Sequence, residues 1–191
     1  MKVFDISFLL IWIILFMILT IMLIFLSYEP KQVKLKNGDH QKYLQMYGIT
    51  KISNIFNNTQ LTYIINMARK KQLVELLDYI KKHTGLFDKI KHVISNDYVF
   101  NEYVFLINKS CIHTCHRDYN SHYYNNQQMY PSYTIIIYLN NMDKCLDIIP
   151  GSHKTKTTND YNIVNNVQSV ICKRGDILLF AANLIHSGSI N

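Results

Sequence analysis

The run Tyr133-Thr134-Ile135-Ile136-Ile137-Tyr138-Leu139 constrains the fold more than any other stretch of the chain. Its β-branched and aromatic side chains favour an extended backbone. Apolarity without alternation means that both faces of the strand need cover, as for a strand buried on two sides. A chain carrying such a strand has to fold in layers. Further strand-like segments follow at Leu146 to Ile149, Ser169 to Cys172 and Ile177 to Phe180. Turn chemistry separates them at Asn140-Asn141, Pro150-Gly151-Ser152 and Arg174-Gly175-Asp176. Upstream, Tyr98-Val99-Phe100 and Tyr103 to Ile107 also read as strands. Short strands with closely spaced turns point to a sandwich or jelly roll.

The N-terminal half has a different period. From Thr59 to Lys82, apolar residues recur at Leu61, Ile64, Ile65, Ala68, Leu73, Leu76, Leu77 and Ile80. That spacing predicts one helix, with Lys81 and Lys82 in its last turn and Gly85 as its stop. A second, shorter helix fits between Gly85 and Ser95. At the start of the chain, Phe8 to Leu26 is apolar at every position except Thr20. Such a run in helical form spans roughly 30 Å, which predicts an uncleaved single-pass membrane anchor over residues 6–27. Ser27-Tyr28-Glu29-Pro30 offers no small-x-small cleavage site. Residues 28–41, with Pro30, Gly38 and several lysines, read as a linker. Lys31, Lys34, Lys36 and Lys42 follow the run, so the positive-inside tendency predicts a cytoplasmic C-terminal domain. The sequons at Asn57 and Asn108 argue for the opposite side. The remaining residues, 42–191, divide into a helical layer over 42–95 and a β core over 96–191.

Charge and cysteine narrow the function classes. The net charge of +7 is dispersed over many lysines rather than gathered in a stripe, and no nucleic-acid motif is present. Nucleic acid is therefore not an expected partner. Cys111, Cys115, Cys145 and Cys172 lack the spacing of a secreted disulfide framework.

His116-Arg117-Asp118 carries the chemistry. Side chains alternate along a strand, so His116 and Asp118 share one face while Arg117 points away. An imidazole and a carboxylate presented together suit a metal ion. A His from a distant strand, His186, would complete the two-His-one-carboxylate facial triad of non-haem Fe(II) oxygenases. A competing reading is a zinc site from Cys111, His113, Cys115 and His116, since thiolate and imidazole are its preferred ligands. His153 reads as a turn residue. His122 lies in a Tyr/Asn-rich loop from Asn120 to Tyr130 that fits either a lid or a plain connection.

Four ordered blocks give the region from Tyr98 onward a family likeness. Tyr133 to Leu139, Leu146-Asp147-Ile148-Ile149-Pro150-Gly151-Ser152-His153-Lys154, Gly175 to Phe180 and His186 to Asn191 resemble the phytanoyl-CoA dioxygenase family. The resemblance implies a double-stranded β-helix, jelly-roll or cupin-like, with N-terminal helices. It implies His116, Asp118 and His186 as metal ligands and catalytic centre, with Fe(II) as cofactor and 2-oxoglutarate as co-substrate. Ascorbate is an additional cofactor that such chemistry admits. Halogenating relatives lack the carboxylate, so Asp118 implies hydroxylation. Thr134 and Tyr138 are the candidate 2-oxoglutarate contacts if their face of the strand looks inward.

The likeness has two departures. The family holds the distal carboxylate of 2-oxoglutarate with an Arg beyond the last His, and a bidentate guanidinium is hard to replace with a Lys. Arg69, Arg117 and Arg174 are the only arginines here, and none stands at that position. The final β-helix strand that would carry it is missing too. Because the break falls inside a family block, truncation of a longer protein is the expectation. Lys144-Cys145 also stands where the family usually has a Gly before the Leu.

The functional expectation is thus a membrane-anchored Fe(II)/2-oxoglutarate dioxygenase acting on a small molecule, lipid or protein. The alternatives are a catalytically inactive β-helix scaffold tethered to a membrane and a zinc-binding membrane protein.

Overall fold

The computed structural model describes residues 6–26, 31–35, 38–101, 104–107, 115–118, 132–154 and 166–188. It divides into two units, Met1–Pro30 and Lys31–Asn191. The first holds α1 (Ile6–Leu26), whose apolar side chains from Phe8 to Ile24 are exposed all round the helix. Within it Thr20 Oγ1 donates to the Phe16 carbonyl at 2.8 Å, so its hydroxyl has a partner on its own helix. The expected single-pass anchor over 6–27 is overturned, because no helix among the described residues is long and apolar enough to cross a membrane. The single-pass localisation, the cytoplasmic orientation and the membrane partner all rested on that anchor and fall with it.

The second unit begins with β1 (Lys31–Val33), α2 (His40–Tyr47) and β2 (Ile49–Ile52), followed by α3 (Asn58–Arg69), α4 (Leu73–Lys81) and α5 (Thr84–Val93). Then come β3 (Tyr133–Ile137), β4 (Met142–Ile148), a 3-10 turn (Ser152–Lys154), β5 (Gln168–Cys172), β6 (Ile177–Ala181) and β7 (His186–Gly188). Two sheets form. One runs β2-β6-β3, antiparallel throughout, and the other β1-β5-β4-β7. Residues 31–33, expected within a linker, are an edge strand of the second sheet, parallel to β5.

Residue parity on β6 explains the layering. All five of its residues are buried. Ile177 and Leu179 face the helices, with Ile52 beside them and Leu61, Ile64, Leu76, Ile80, Leu86 and Ile90 opposite. Leu178 and Phe180 face the second sheet, against Leu146, Ile148, Val170 and Cys172. β3 follows the same rule. Ile135 and Ile137 join the helical side, and Ile136 and Tyr138 join the inter-sheet side. The apolar strand read from the sequence is thus covered on both faces. Each fully buried Leu, Ile or Phe here contributes about 1.5–3 kcal/mol of transfer free energy. Helices packed on a two-sheet sandwich make a sheet-rich, jelly-roll-like fold.

The helical layer departs from expectation at two points. The single helix over 59–82 is broken into α3 and α4. Lys71 takes a left-handed φ of 55°, its N–H bonds to Ala68 O, and Gln72 N–H bonds to Met67 O, both at 3.0 Å. These two bonds form a Schellman stop, with Lys in the place usually held by Gly. Gly85 is no stop; it lies in the first turn of α5, which His83 caps by accepting Leu86 N–H on Nδ1 at 3.1 Å. At its own start α3 has a capping box between Asn57 and Gln60. The strands expected over 98–100 and 103–107 are not formed among the described residues there, and Val99, Phe105 and Ile107 are exposed.

Candidate metal centre

The site is built on a backbone ladder. β7 pairs with β4 on one side, Ile148 opposite His186. On the other side His116 forms an antiparallel bridge with His186. His116 N–H donates to His186 O, and His186 N–H to His116 O, both at 2.9 Å. Residues that exchange both bonds lie directly opposite each other, with their side chains on one face. The two imidazoles therefore sit side by side, ring centroids 4.4 Å apart. Asp118, two residues on, shares their face.

The donor atoms converge. Asp118 Oδ1 is 3.4 Å from His116 Nε2 and 3.4 Å from His186 Nε2, and the three side chains offer ligand atoms all within 4.8 Å of one another. Neighbouring ligands at right angles around a first-row ion stand about 3 Å apart, given metal–ligand distances near 2.1 Å. The two Asp118–His distances of 3.4 Å lie close to that spacing. His186 is buried, whereas His116 and Asp118 reach solvent, so the open coordination positions would face outward.

The protonation of His186 favours a cation. Burial holds its imidazole below the ordinary histidine range; the Asp118 carboxylate pulls it back up, and His116 lowers it again. Its Nδ1 lies 3.1 Å from the Leu184 carbonyl, which can only accept, so the proton resides on Nδ1. The Nε2 lone pair then points at a carboxylate oxygen, an arrangement that a positive ion between them relieves. Two imidazoles and a carboxylate form a set that fits Fe(II) with open positions for a bidentate 2-oxoglutarate.

Residues outside the ligand set lock the geometry. Arg117 is buried and points away from the ligands. Its Nη1 donates to Ser152 O at 2.9 Å and to Asn183 O. Ser152 Oγ accepts Ile185 N–H at 2.9 Å, and Asn183 Nδ2 donates to His153 O at 2.6 Å. One guanidinium thus ties the His116–Asp118 segment to the Pro150-Gly151-Ser152 turn and to the loop that leads into β7. His153 packs against Gly48, where an added Cβ would lie 2.5 Å from its Nδ1. Gly48 also has φ 81° and closes α2, so both space and backbone demand glycine there.

Thr134 and Tyr138, read as 2-oxoglutarate contacts, meet different surroundings. Thr134 Oγ1 donates to Asp118 Oδ2 at 2.6 Å. Tyr138 is buried, and its hydroxyl donates to Cys145 O at 3.2 Å. Desolvation pushes that phenol above its ordinary value, so it stays protonated. Tyr138 is committed to the core and does not join the ligand cluster. Of the zinc alternative, Cys111 and His113 lie outside the described residues, as do His122 and its loop. Cys115 is not among the residues whose ligand atoms converge with those of His116.

The family model for phytanoyl-CoA dioxygenase (PhyH) matches residues 44–191. The chain belongs to the phytanoyl-CoA dioxygenase family. Solved structures agree on the fold. HygX from Streptomyces hygroscopicus, crystallised with nickel and 2-oxoglutarate, is 14% identical, with a TM-score of 0.62 over 80% of each chain. EvdMO1 is 15% identical with a TM-score of 0.63, over 81% of this chain and 46% of its own. The epimerase SnoN, in complex with Fe3+, alpha-ketoglutarate and nogalamycin RO, is 12% identical with a TM-score of 0.56, over 80% of this chain and 76% of its own. A search of the curated proteins finds no match. The metals and 2-oxoglutarate found with HygX and SnoN suit the donor set of His116, Asp118 and His186 that this chain presents.

Proposed function

We propose that this chain is an Fe(II)- and 2-oxoglutarate-dependent dioxygenase that hydroxylates a small organic molecule. The observation that carries the reading is the paired ladder of His116 and His186 with Asp118 Oδ1 3.4 Å from both imidazoles. In this reading His116, Asp118 and His186 hold the metal, and the fold is a double-stranded β-helix. Fe(II) with 2-oxoglutarate supplies an O2-derived oxidant for C–H bonds as 2-oxoglutarate is converted to succinate and CO2. The protein's part is positional. Leu184 O keeps the proton of His186 on Nδ1, so Nε2 is the donor. The apolar wall of Phe180, whose ring lies 4.8 Å from that of His186, shields the buried side from water. The choice of a small molecule follows the neighbours: HygX has been crystallised with hygromycin B and SnoN with nogalamycin RO.

A second reading, a metal-holding sandwich without turnover, is favoured by the placement of the arginines. Arg69 lies at the end of α3, Arg174 reaches Thr62, and Arg117 grips backbone carbonyls. None of the three is set to clamp a carboxylate on the solvent side of the ligands. Anaerobic addition of Fe(II) and then 2-oxoglutarate separates the two readings. The dioxygenase gives a visible charge-transfer band that His186→Ala abolishes, and succinate on admitting O2. Metal binding with neither band nor succinate establishes the second reading and overturns the first.

A further inference from the structure

The Asp118 carboxylate has two chemically equivalent oxygens on a torsion that is broad and two-fold. Which oxygen faces the imidazoles must therefore be set by its surroundings. Thr134 donates to Oδ2 at 2.6 Å, while Oδ1 lies 3.4 Å from each Nε2. The donor comes from β3, a strand covered on both faces, at the position paired with Phe180. Phe180 in turn packs on the His186 ring. A β-branched side chain on a strand has few rotamers, so the hydroxyl arrives with little freedom to lose.

We infer that Thr134 is a positioning residue, which holds Asp118 through Oδ2 so that Oδ1 is presented to the same ion as His116 and His186. This rests on the metal centre proposed above. Thr134 reaches the ion only through the carboxylate. By occupying Oδ2 it keeps Asp118 monodentate, and this preserves an open coordination position that a bidentate carboxylate would fill. The role differs from the contact with 2-oxoglutarate expected from the sequence, because the hydroxyl proton is already committed to Asp118.

Titration of the full chain with Co(II) alone, followed by its visible bands, tests the assignment. Thr134→Val keeps the shape and removes the donor. It is expected to weaken Co(II) binding about tenfold, the low end for loss of an outer-shell partner, and to change the band pattern. Thr134→Ser is expected to restore both. Asp118→Ala and His186→Ala serve as controls that remove ligands. Wild-type affinity and bands in Thr134→Val, with binding lost in Asp118→Ala, would overturn the inference and leave the metal centre standing. Weakened binding in both Thr134→Val and Thr134→Ser would also overturn it, because the hydroxyl would then not be the active feature. Undiminished Co(II) binding in both ligand variants would overturn the metal centre itself, and this inference with it. If Thr134→Val does not fold, Thr134→Ala compared with Thr134→Ser decides on the same criteria.

Discussion

Thr134 and Tyr138 lie on the same face of one extended stretch, yet the space between the sheets treats them differently. Around Tyr138 the second sheet closes the gap. The Cys145 thiol donates to Cys172 Sγ at 2.7 Å, and Leu146 and Val170 seal the layer. Around Thr134 the opposing surface is the bridged pair of His116 and His186 at the edge of the sheet, with Asp118 open to solvent. Identical side-chain alternation thus yields a hydrophobic plug at one end and a polar mouth at the other. What differs is the partner sheet. Where it has paired strands with apolar residues, a hydroxyl is tied off to a carbonyl. Where, among the described residues, it thins to a single bridge, a hydroxyl can serve a site.

Substitutions can break that contrast. Leu178→Ala, in the fully buried layer between the two ends, should cost about 2–5 kcal/mol in a denaturant titration. Co(II) affinity of the folded fraction should stay within about twofold, as for well-separated sites. A large loss of affinity would mean that the two ends are one cooperative unit. The His153 imidazole, behind the mouth, probes the same question through pH. Burial, with Lys154 adding to it, lowers it from 6.5 to about 4. Between pH 6.5 and 4 the unfolded chain takes up a proton that the folded chain refuses. Stability is therefore fully present above pH 6.5, falls as pH drops toward 4, and levels off below. His153→Gln should flatten that part of the stability–pH curve; an unchanged curve would show that the imidazole is not protected from protons. Tyr138→Phe is the mildest change. Losing its bond to Cys145 O should cost about 1 kcal/mol and leave Co(II) binding unaltered. A weakened metal site would place Tyr138 within reach of the mouth after all.

The layered core was legible because continuous apolarity on β3 and β6 leaves few alternatives. His116 and Asp118 share a face by strand parity, and that too could be read directly. Other features were hidden for physical reasons. Lys71 stops α3 by adopting a conformation that Gly usually takes, so the apolar period ran on through the break. β1 is a short polar edge of Lys31-Gln32-Val33, with none of the enrichment that marks a strand. Parity placed Thr134 and Tyr138 together but could not distinguish them, since only the opposite sheet does that. Arg117 was correctly directed away from the ligands, but its grip on Ser152 and Asn183 carbonyls depends on loops remote in sequence. The apolar N-terminal run illustrates the reverse case, where composition suggested a span that the described helix does not fulfil.

The His116–His186 bridge has a consequence for how the protein assembles. Its two hydrogen bonds join His116 to His186, residues with β3 to β6 between them in the chain, so closing the bridge carries a loop-closure cost. The ligand cluster thus depends on a long-range contact rather than on a local one. An ion that binds the closed form alone would stabilise it by RT ln(1 + c/Kd), where c is the free ion concentration. Metal supply would govern how firmly that bridge stays shut.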